Sequence, residues 1–428
     1  MIAILASIYL QRLALPGTSV GLGAAVPYLG LVVLGIARKI KLPPREFILG
    51  LLLFTALGIS TILSSLTLPA NSASLALVVL MWAPFVFIAD SRKTDATYLL
   101  RAFQYGMFPV AVLTILQFVL QSGFPQWLDP VSLLPKSWLV PGYQAAYEFQ
   151  YGSGVLKANG VFFLESSFAS QYLAIAALAT LSARRWMSPL FILALVVTGG
   201  GTGIIMLLIG LAVYVARGSS RTKVVAVGSI VIGVLVMSWL GLAAQILGRA
   251  GEINGENTSG SQRFVAPFDV VGAAFEMVPN SFFWGLGPGS ANPFGASIGV
   301  TANFSLIPKL MIEYGVTPAL FFIVLLIVII MRIRLDVALK LPICVMILFL
   351  SGALIQAHTS VLLWALYLGL GSGHAYSHSA MPECRAVDGN ESPKFIDASV
   401  SAGRLNIWQS DLQISNRHRK VATKARIK

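Results

Sequence analysis

Apolar positions run along this chain in blocks far longer than the stripe of a water-soluble helix. They fall near residues 2–15, 20–37, 47–66, 72–89, 100–120, 166–182, 189–199, 203–216, 224–246, 310–331, 341–357 and 359–372. A helix that is apolar all round is enclosed by protein or lipid, and about 20 such residues cross a bilayer, fewer where it is locally thin. The pattern predicts an all-α polytopic membrane protein with about 12 transmembrane helices over residues 1–372. Two stretches break the series, 121–165 and 247–309, and are polar enough to predict long loops outside lipid. Residues 373–428 carry scattered charge and no apolar period, which predicts a disordered tail.

Composition agrees with that reading. The chain is 56% hydrophobic and 11% charged, with a mean hydropathy of +0.79. A soluble domain of 428 residues could not cover so much apolar surface with so few charges. A net charge of +13 invites a nucleic-acid reading, but the placement of the charges excludes it. Arg38, Lys39, Lys41 and Arg45, then Arg92, Lys93 and Arg101, then Arg184 and Arg185, then Arg217, Arg221 and Lys223, then Arg332, Arg334 and Lys340 fall in alternate loops. With nine more in the tail they make twenty-four of the thirty Lys and Arg residues, all on one side. The positive-inside rule makes that side cytoplasmic, with both termini there and the loops 121–165 and 247–309 facing outward. The basic end of the tail, from Arg417 to Lys428, suits anionic lipid.

The segment 189–216 tests this topology, because it lies between two basic loops and must go out and return within 28 residues. Thr198-Gly-Gly-Gly-Thr-Gly203 sits midway, so two short or re-entrant helices are expected, with a glycine reversal between them. Irregular backbone at that depth requires cover by protein or by a water-filled cavity. Cys344 and Cys384 imply neither a disulfide framework nor a metal site.

The chemistry concentrates in the outward loops. Residues 260–290 form a polar, Gly-rich island carrying Arg263, Asp269, Glu276 and the turn Trp284-Gly-Leu-Gly-Pro-Gly289. The first loop carries Trp127, Trp138, Tyr143, Tyr147, Phe149 and Tyr151, rings that suit either sugar faces or the membrane interface. It ends in Lys157 and Glu165, which either pair with one another or handle an anion and a proton. Outside the basic side, five cations remain in outward segments: Lys136, Lys157, Arg249, Arg263 and Lys309. Arg matches phosphate oxygens through two parallel hydrogen bonds, which makes Arg263 the leading contact for an anionic ligand, followed by Lys157 and Arg249. Lys309 and Glu313, four apart, predict a helix-surface ion pair. The loops hold no His-Glu-x-x-His, Walker loop or paired-Asp metal signature. His358 is expected to pack or hydrogen-bond between the last two spans.

Several of these segments, in order, resemble the bacterial O-antigen polymerase and ligase superfamily, the Wzy-type polymerases and O-antigen ligases. Lys157-Ala-Asn-Gly-Val-Phe-Phe-Leu-Glu165-Ser-Ser-Phe-Ala169 is similar to its Arg-x-x-Gly…Glu-Pro-Ser-x-x-Ala stretch. Gly199–Gly203 stands at its small-residue turn, and Gln262-Arg263-Phe264…Pro279…Trp284-Gly-Leu-Gly-Pro-Gly-Ser290 resembles its Ser-Arg…Pro…Gly-x-Gly-Pro-Gly loop. Phe304-Ser-Leu…Glu313-Tyr-Gly315 stands where the family carries His-Asn…Glu-x-Gly. Lys157 replaces the usual Arg and Ser166 the usual Pro. Phe304, where the ligases have His, points to polymerase.

The resemblance implies a glycosyltransferase at the outer face of the inner membrane that joins undecaprenyl-pyrophosphate-linked oligosaccharide repeat units. It needs no metal, nucleotide or other cofactor, because the carrier supplies the energised bond. In that reading Arg263 and Lys157 hold the pyrophosphate with Arg249 in support. Glu165 is the leading base, Asp269 and Glu276 are weaker ones, and Trp284 and Asp269 lie on the substrate side. Implied partners are the lipid-linked glycan, membrane lipids, a chain-length regulator and a flippase. The alternatives are an O-antigen ligase acting on a lipid acceptor, a flippase or transporter of the same glycan, and a non-catalytic scaffold. A transporter would call for charge along a transmembrane cavity, and charge within the predicted spans is nearly absent apart from Arg12.

Overall fold

The computed structural model describes residues 1–18, 20–66, 71–89, 96–121, 123, 129–143, 147–149, 154–183, 187–217, 259–352 and 354–371, with isolated positions between 223 and 238. Most of the span predicted over 224–246, Arg249, Trp127, Tyr151 and the tail from 373 lie outside the described residues. The chain is mostly helical, with sixteen α-helices among the described residues. In order these are α1 (Ile2–Tyr9), α2 (Ala25–Ile36), α3 (Pro44–Ser65), α4 (Ser72–Trp82), α5 (Ala96–Leu120), α6 (Ser166–Ala183), α7 (Ser188–Thr198), α8 (Gly201–Arg217), α9 (Ser259–Phe264), α10 (Ala266–Met277), α11 (Ser281–Trp284), α12 (Ala291–Ser297), α13 (Leu306–Tyr314), α14 (Val316–Arg332), α15 (Val337–Val345) and α16 (Ala357–Leu370). Two of them, α3 and α5, are long and apolar enough to cross a membrane by length and composition.

Local chemistry sets the ends of these helices. Pro44 begins α3, where a missing N–H costs nothing. Asn71 caps α4 by accepting from the N–H of Ala73 and of Ser74, at 3.1 and 3.3 Å, and Asp336 caps α15 from Ala338 N at 2.8 Å. Gly199, at φ +58°, ends α7 in the left-handed conformation. Gly315, at φ +82°, separates α13 from α14, so the block predicted over 310–331 is one long helix preceded by a short one.

The centre of the fold is α6, whose residues from Ser166 to Leu181 are all buried. Its alanines (169, 174, 176, 177 and 179) present a small-residue surface. Across it, Gly203 and Gly210 of α8 come so close that a Cβ on either would collide with Ser170 or Leu178. Small residues on facing helices allow such close backbone approach. The paired helices expected over 189–216 are α7 and α8. Their glycine reversal is covered: Gly199 lies against the ring of Phe149 and Gly200 against Ser170.

The outward faces are apolar too. On α3, Phe47, Ile48, Leu51, Leu52, Ile59 and Ile62 are exposed, as are Leu320, Val324, Ile327 and Met331 on α14 and Leu29, Val32, Val33 and Ile36 on α2. The α14 positions recur at four, three and four residues, a helical face with no charge on it. A water-soluble helix places polar residues there.

The connecting segments gather at the two ends of the bundle. At one end Ile40–Lys41 (β1) pairs antiparallel with Ile88–Ala89 (β2). There Arg332 binds the buried carboxylate of Glu46 and donates from Nε to Gly371 O at 3.0 Å. At the other end the segment after α1 meets the first long loop, with Ala14 N donating to Trp138 O at 2.9 Å. The apolar run predicted over 2–15 is helical only to Tyr9, so Arg12 stands outside the helix. It forms a bidentate pair with Asp129 and donates to Val161 O at 3.0 Å.

Candidate functional site

The loop end brings Glu165 and Arg263 together from segments almost a hundred residues apart. Glu165 is positioned by α6: its carbonyl accepts the Ala169 N–H at 3.2 Å, so it stands at the mouth of the central helix. Arg263 comes from the short helix α9, which is tied down where Gln262 O accepts from Asn303 N at 2.8 Å. Arg263 Nη2 lies 3.6 Å from Glu165 Oε2 and 3.5 Å from Ser167 Oγ, and Ser167 Oγ donates to Glu165 Oε2 at 3.1 Å. Both charged side chains keep about a fifth of their surface, 22% for Arg263 and 18% for Glu165. This is a loose, partly open triad, not a closed bidentate pair. The expected alternative of a Lys157–Glu165 pair gives way to Arg263–Glu165.

Lys157 is half-buried and engaged, on a bridge in which its N–H donates to Tyr147 O at 2.7 Å and Phe149 N donates to Val155 O at 2.7 Å. Phe149 is buried against the glycine reversal of α7 and α8, which gives that ring a packing role. Asp269 and Glu276 are exposed on α10, with Asp269 in its first turn, where the helix dipole favours a carboxylate.

The Trp284–Gly289 turn forms a backbone seam. Leu286 N donates to Ile312 O at 2.7 Å and Gly287 N to Glu313 O at 3.0 Å. Gly285 (φ +71°) and Gly315 (φ +82°) sit so near the opposite backbone that a Cβ at either would strike it. Ser60 Oγ lies 2.6 Å from Trp284 O and 3.0 Å from Tyr314 O, so its single proton can be donated to either carbonyl, stitching the seam to α3. The N–H groups of Leu286 and Gly287 therefore serve the fold, and the Trp284 ring is half-buried beside them. Lys309 and Glu313 form the expected i, i+4 pair at 3.6 Å, but not at a helix surface: the Glu313 side chain is buried.

A further group was not legible in the sequence. The stretch Met346–Leu350 is π-helical and ends in an irregular segment before α16. π-helical turns often mark functional sites. This break delivers Gln356 and His358 to the same end as Glu165. Gln356 Nε2 donates to Tyr143 Oη at 3.3 Å. Burial pushes the Tyr143 hydroxyl above its usual pKa, the Gln356 hydrogen bond opposes that, and the nearby Glu165 charge adds to it. His358 has a packing role, with its ring on Phe168 of α6, centroids 4.6 Å apart. The available signal was a Gln inside an otherwise apolar run.

Among the described residues no group of three or more His, Cys, Asp or Glu side chains converges as metal ligands would. What Arg263, Ser167 and Glu165 offer is one planar cation, one hydroxyl and one carboxylate, at a partly open surface. No family model and no curated protein matches this chain.

Proposed function

We propose that the chain is a multi-pass glycosyltransferase of the bacterial inner membrane. In this reading it polymerises undecaprenyl-pyrophosphate-linked oligosaccharide repeat units at the outer face. The uncharged outward faces of α2, α3 and α14 support the membrane assignment, since such faces are stable in lipid and costly in water. The sorting of connections supports the orientation: segments 38–46, 88–89, 332–340 and 370–371 share one end, and residues 12–18, 129–143, 147–149, 154–165 and 259–305 share the other. In this reading the first is the cytoplasmic side and the second the outer side. About 12 spans, with both termini cytoplasmic, follow from the same reading.

The observation that carries the proposal is the loose Arg263–Ser167–Glu165 group. Fork-shaped Arg binds phosphate oxygens bidentately, and a long, partly solvated ion pair is weak, so an arriving pyrophosphate competes well for Arg263. That exchange leaves the Glu165 carboxylate free to accept a proton. The acceptor hydroxyl oxygen then attacks the anomeric carbon of the donor sugar while the bond from that carbon to the pyrophosphate oxygen breaks. Glu165 takes the hydroxyl proton, and Arg263 stabilises the charge on the departing carrier pyrophosphate. Ser167, hydrogen-bonded to Glu165, keeps the carboxylate oriented.

The test is the polymer ladder of cells expressing Arg263→Ala. Polymer should disappear while protein level and single lipid-linked repeat units persist. Normal chain length in that strain overturns the assignment, and long polymer that stays unattached indicates a ligase.

A further inference from the structure

The segment 247–309, polar enough to predict a loop outside lipid, carries a row of aromatic rings on its surface. Phe268 and Phe275 stand seven residues apart on α10, about two turns along one line of the helix. Asp269 and Glu276 repeat that spacing one residue further round, so the outward face of α10 has an aromatic edge and an acidic edge. Val270, Val271 and Ala274 take the buried side, in a cluster with Leu286 and Ile312. Phe282 and Phe283 of α11 extend the row. Phe275 and Phe282 meet edge to face with centroids 5.2 Å apart, and Phe282 and Phe283 at 5.0 Å. Phe268 is 46% exposed, Phe282 42% and Phe283 55%. A contiguous exposed aromatic patch rimmed by polar residues marks a contact surface.

The level at which α11 is fastened says what covers the patch. Ser60 of α3 lies 2.6 Å from Trp284 O, and a Cβ on Gly315, at the start of α14, would strike Phe283 O. From its Glu46 end, where Arg332 binds, α3 runs toward the loop end, and its exposed apolar side chains do not stop at Ser60. Ile59 comes before that level, and Ile62 and Leu66 come after it. Leu66 lies about 9 Å further along the helix direction. The α11 segment therefore sits within the outward apolar band of α3 and α14, not beyond it. We propose that Phe268, Phe275, Phe282 and Phe283 form a lipid-contacting surface at the boundary between headgroups and acyl chains, with Asp269 and Glu276 turned toward water. An acidic edge gains nothing from anionic headgroups, so the contact rests on apolar burial. This inference rests on the membrane assignment above and not on the transfer chemistry. Arg263, five residues before Phe268, is then held at headgroup level, where the phosphate groups of a lipid-linked substrate lie.

The experiment reads fluorescence quenching on the full chain in phosphatidylcholine nanodiscs, in a Cys344→Ser, Cys384→Ser background. A bimane label goes in turn onto Phe268→Cys, Phe283→Cys, Asp269→Cys and Glu276→Cys, and onto Val324→Cys as a reference on the outward face of α14. Each is quenched separately by acyl-chain-brominated lipid and by iodide in water. Lipid quenching should be about threefold or more stronger at Phe268 and Phe283 than at Asp269 and Glu276, with iodide in the reverse order. Anionic phosphatidylglycerol in the disc should change neither. Unfolding midpoints identify any variant that fails to fold, and Phe282→Cys then takes its place. Iodide access at the Phe positions equal to that at the acids, without lipid quenching, overturns the proposal. So does shielding of the Phe positions from both quenchers, which indicates a protein partner. Iodide access that closes only when soluble maltoheptaose is added also overturns it, and indicates a glycan platform. Val324 separates the two levels of inference. Lipid quenching there but not at Phe283 overturns this proposal alone, whereas none at Val324 overturns the membrane assignment beneath it.

Discussion

Each end of the bundle has an Arg–carboxylate pair, and the two are built differently. At the end formed by β1, β2 and the α14 terminus, Arg332 closes on Glu46, whose side chain is 2% exposed, and reaches Gly371 O as well. That pair ties α3, α14 and α16 together. At the loop end, Arg263 stands 3.6 Å from Glu165, both side chains are partly open, and Ser167 shares the contact. Arg12–Asp129, also at the loop end, resembles the closed type: it is bidentate and has a backbone carbonyl as a third partner. Closed pairs with backbone partners secure tertiary structure, whereas a loose pair at an open surface retains bonding capacity for a ligand. The proposed function rests on that difference in bonding, not in exposure: Arg332 keeps 35% of its side-chain surface and Arg263 22%.

The largest effects should divide along that line. Arg332→Ala leaves the Glu46 carboxylate buried without its cation, and breaking a buried pair costs about 3 kcal/mol or more. Thermal unfolding in detergent should show a marked loss of stability, with activity per folded molecule retained. A stable Arg332→Ala protein would remove the distinction between the two pairs. Arg263→Lys keeps the charge but loses the fork, so activity should fall about tenfold or more with unchanged stability. Full activity in that variant would mean that Arg263 acts only as a point charge.

A smaller effect concerns the packing beneath the site. Gly203→Val drives a side chain into the Ser170 backbone and should cost about 1–3 kcal/mol, read as a lower unfolding midpoint. The smallest is a pH effect at Tyr143. Burial raises its pKa above the usual 10.0, with the Gln356 bond opposing and the Glu165 charge adding. The folded protein thus holds a proton that the unfolded chain releases above about pH 10. Stability from this group is complete below that pH and declines as pH rises further. Tyr143→Phe should flatten the alkaline limb of the stability profile, and an identical slope would show that the hydroxyl is not coupled to folding.

Much of this was legible in the sequence. Helix positions follow from the apolar blocks, because those blocks are long and the glycines and prolines between them end helices for local reasons. Arg263 and Glu165 stood out through scarcity: few cations fall in the loops predicted to face outward, and a Glu at the mouth of a buried helix needs a partner. Their pairing with one another was not legible, since Lys157 was nearer in sequence and contact across the fold is set by where α9 docks. The role of Arg12 was hidden by the same non-locality. It depends on α1 ending at Tyr9 and on Asp129 approaching from the first long loop. The Trp284–Gly289 turn read as part of a substrate loop through its resemblance to the family's Gly-rich motif, yet its glycines permit the close backbone seam with α13. The depth of the aromatic row was least legible of all, because contacts of α11 with α3 and α14 across the fold set it.

The most direct measurement is polymer formation by the purified chain in lipid nanodiscs, supplied only with undecaprenyl-pyrophosphate-linked repeat units. Rates would be compared for wild type, Glu165→Gln and Arg263→Ala at equal folded concentration. The account predicts polymer from the wild type, a fall of about a hundredfold or more in Glu165→Gln, and none detectable in Arg263→Ala. Wild-type rates in both variants would contradict it.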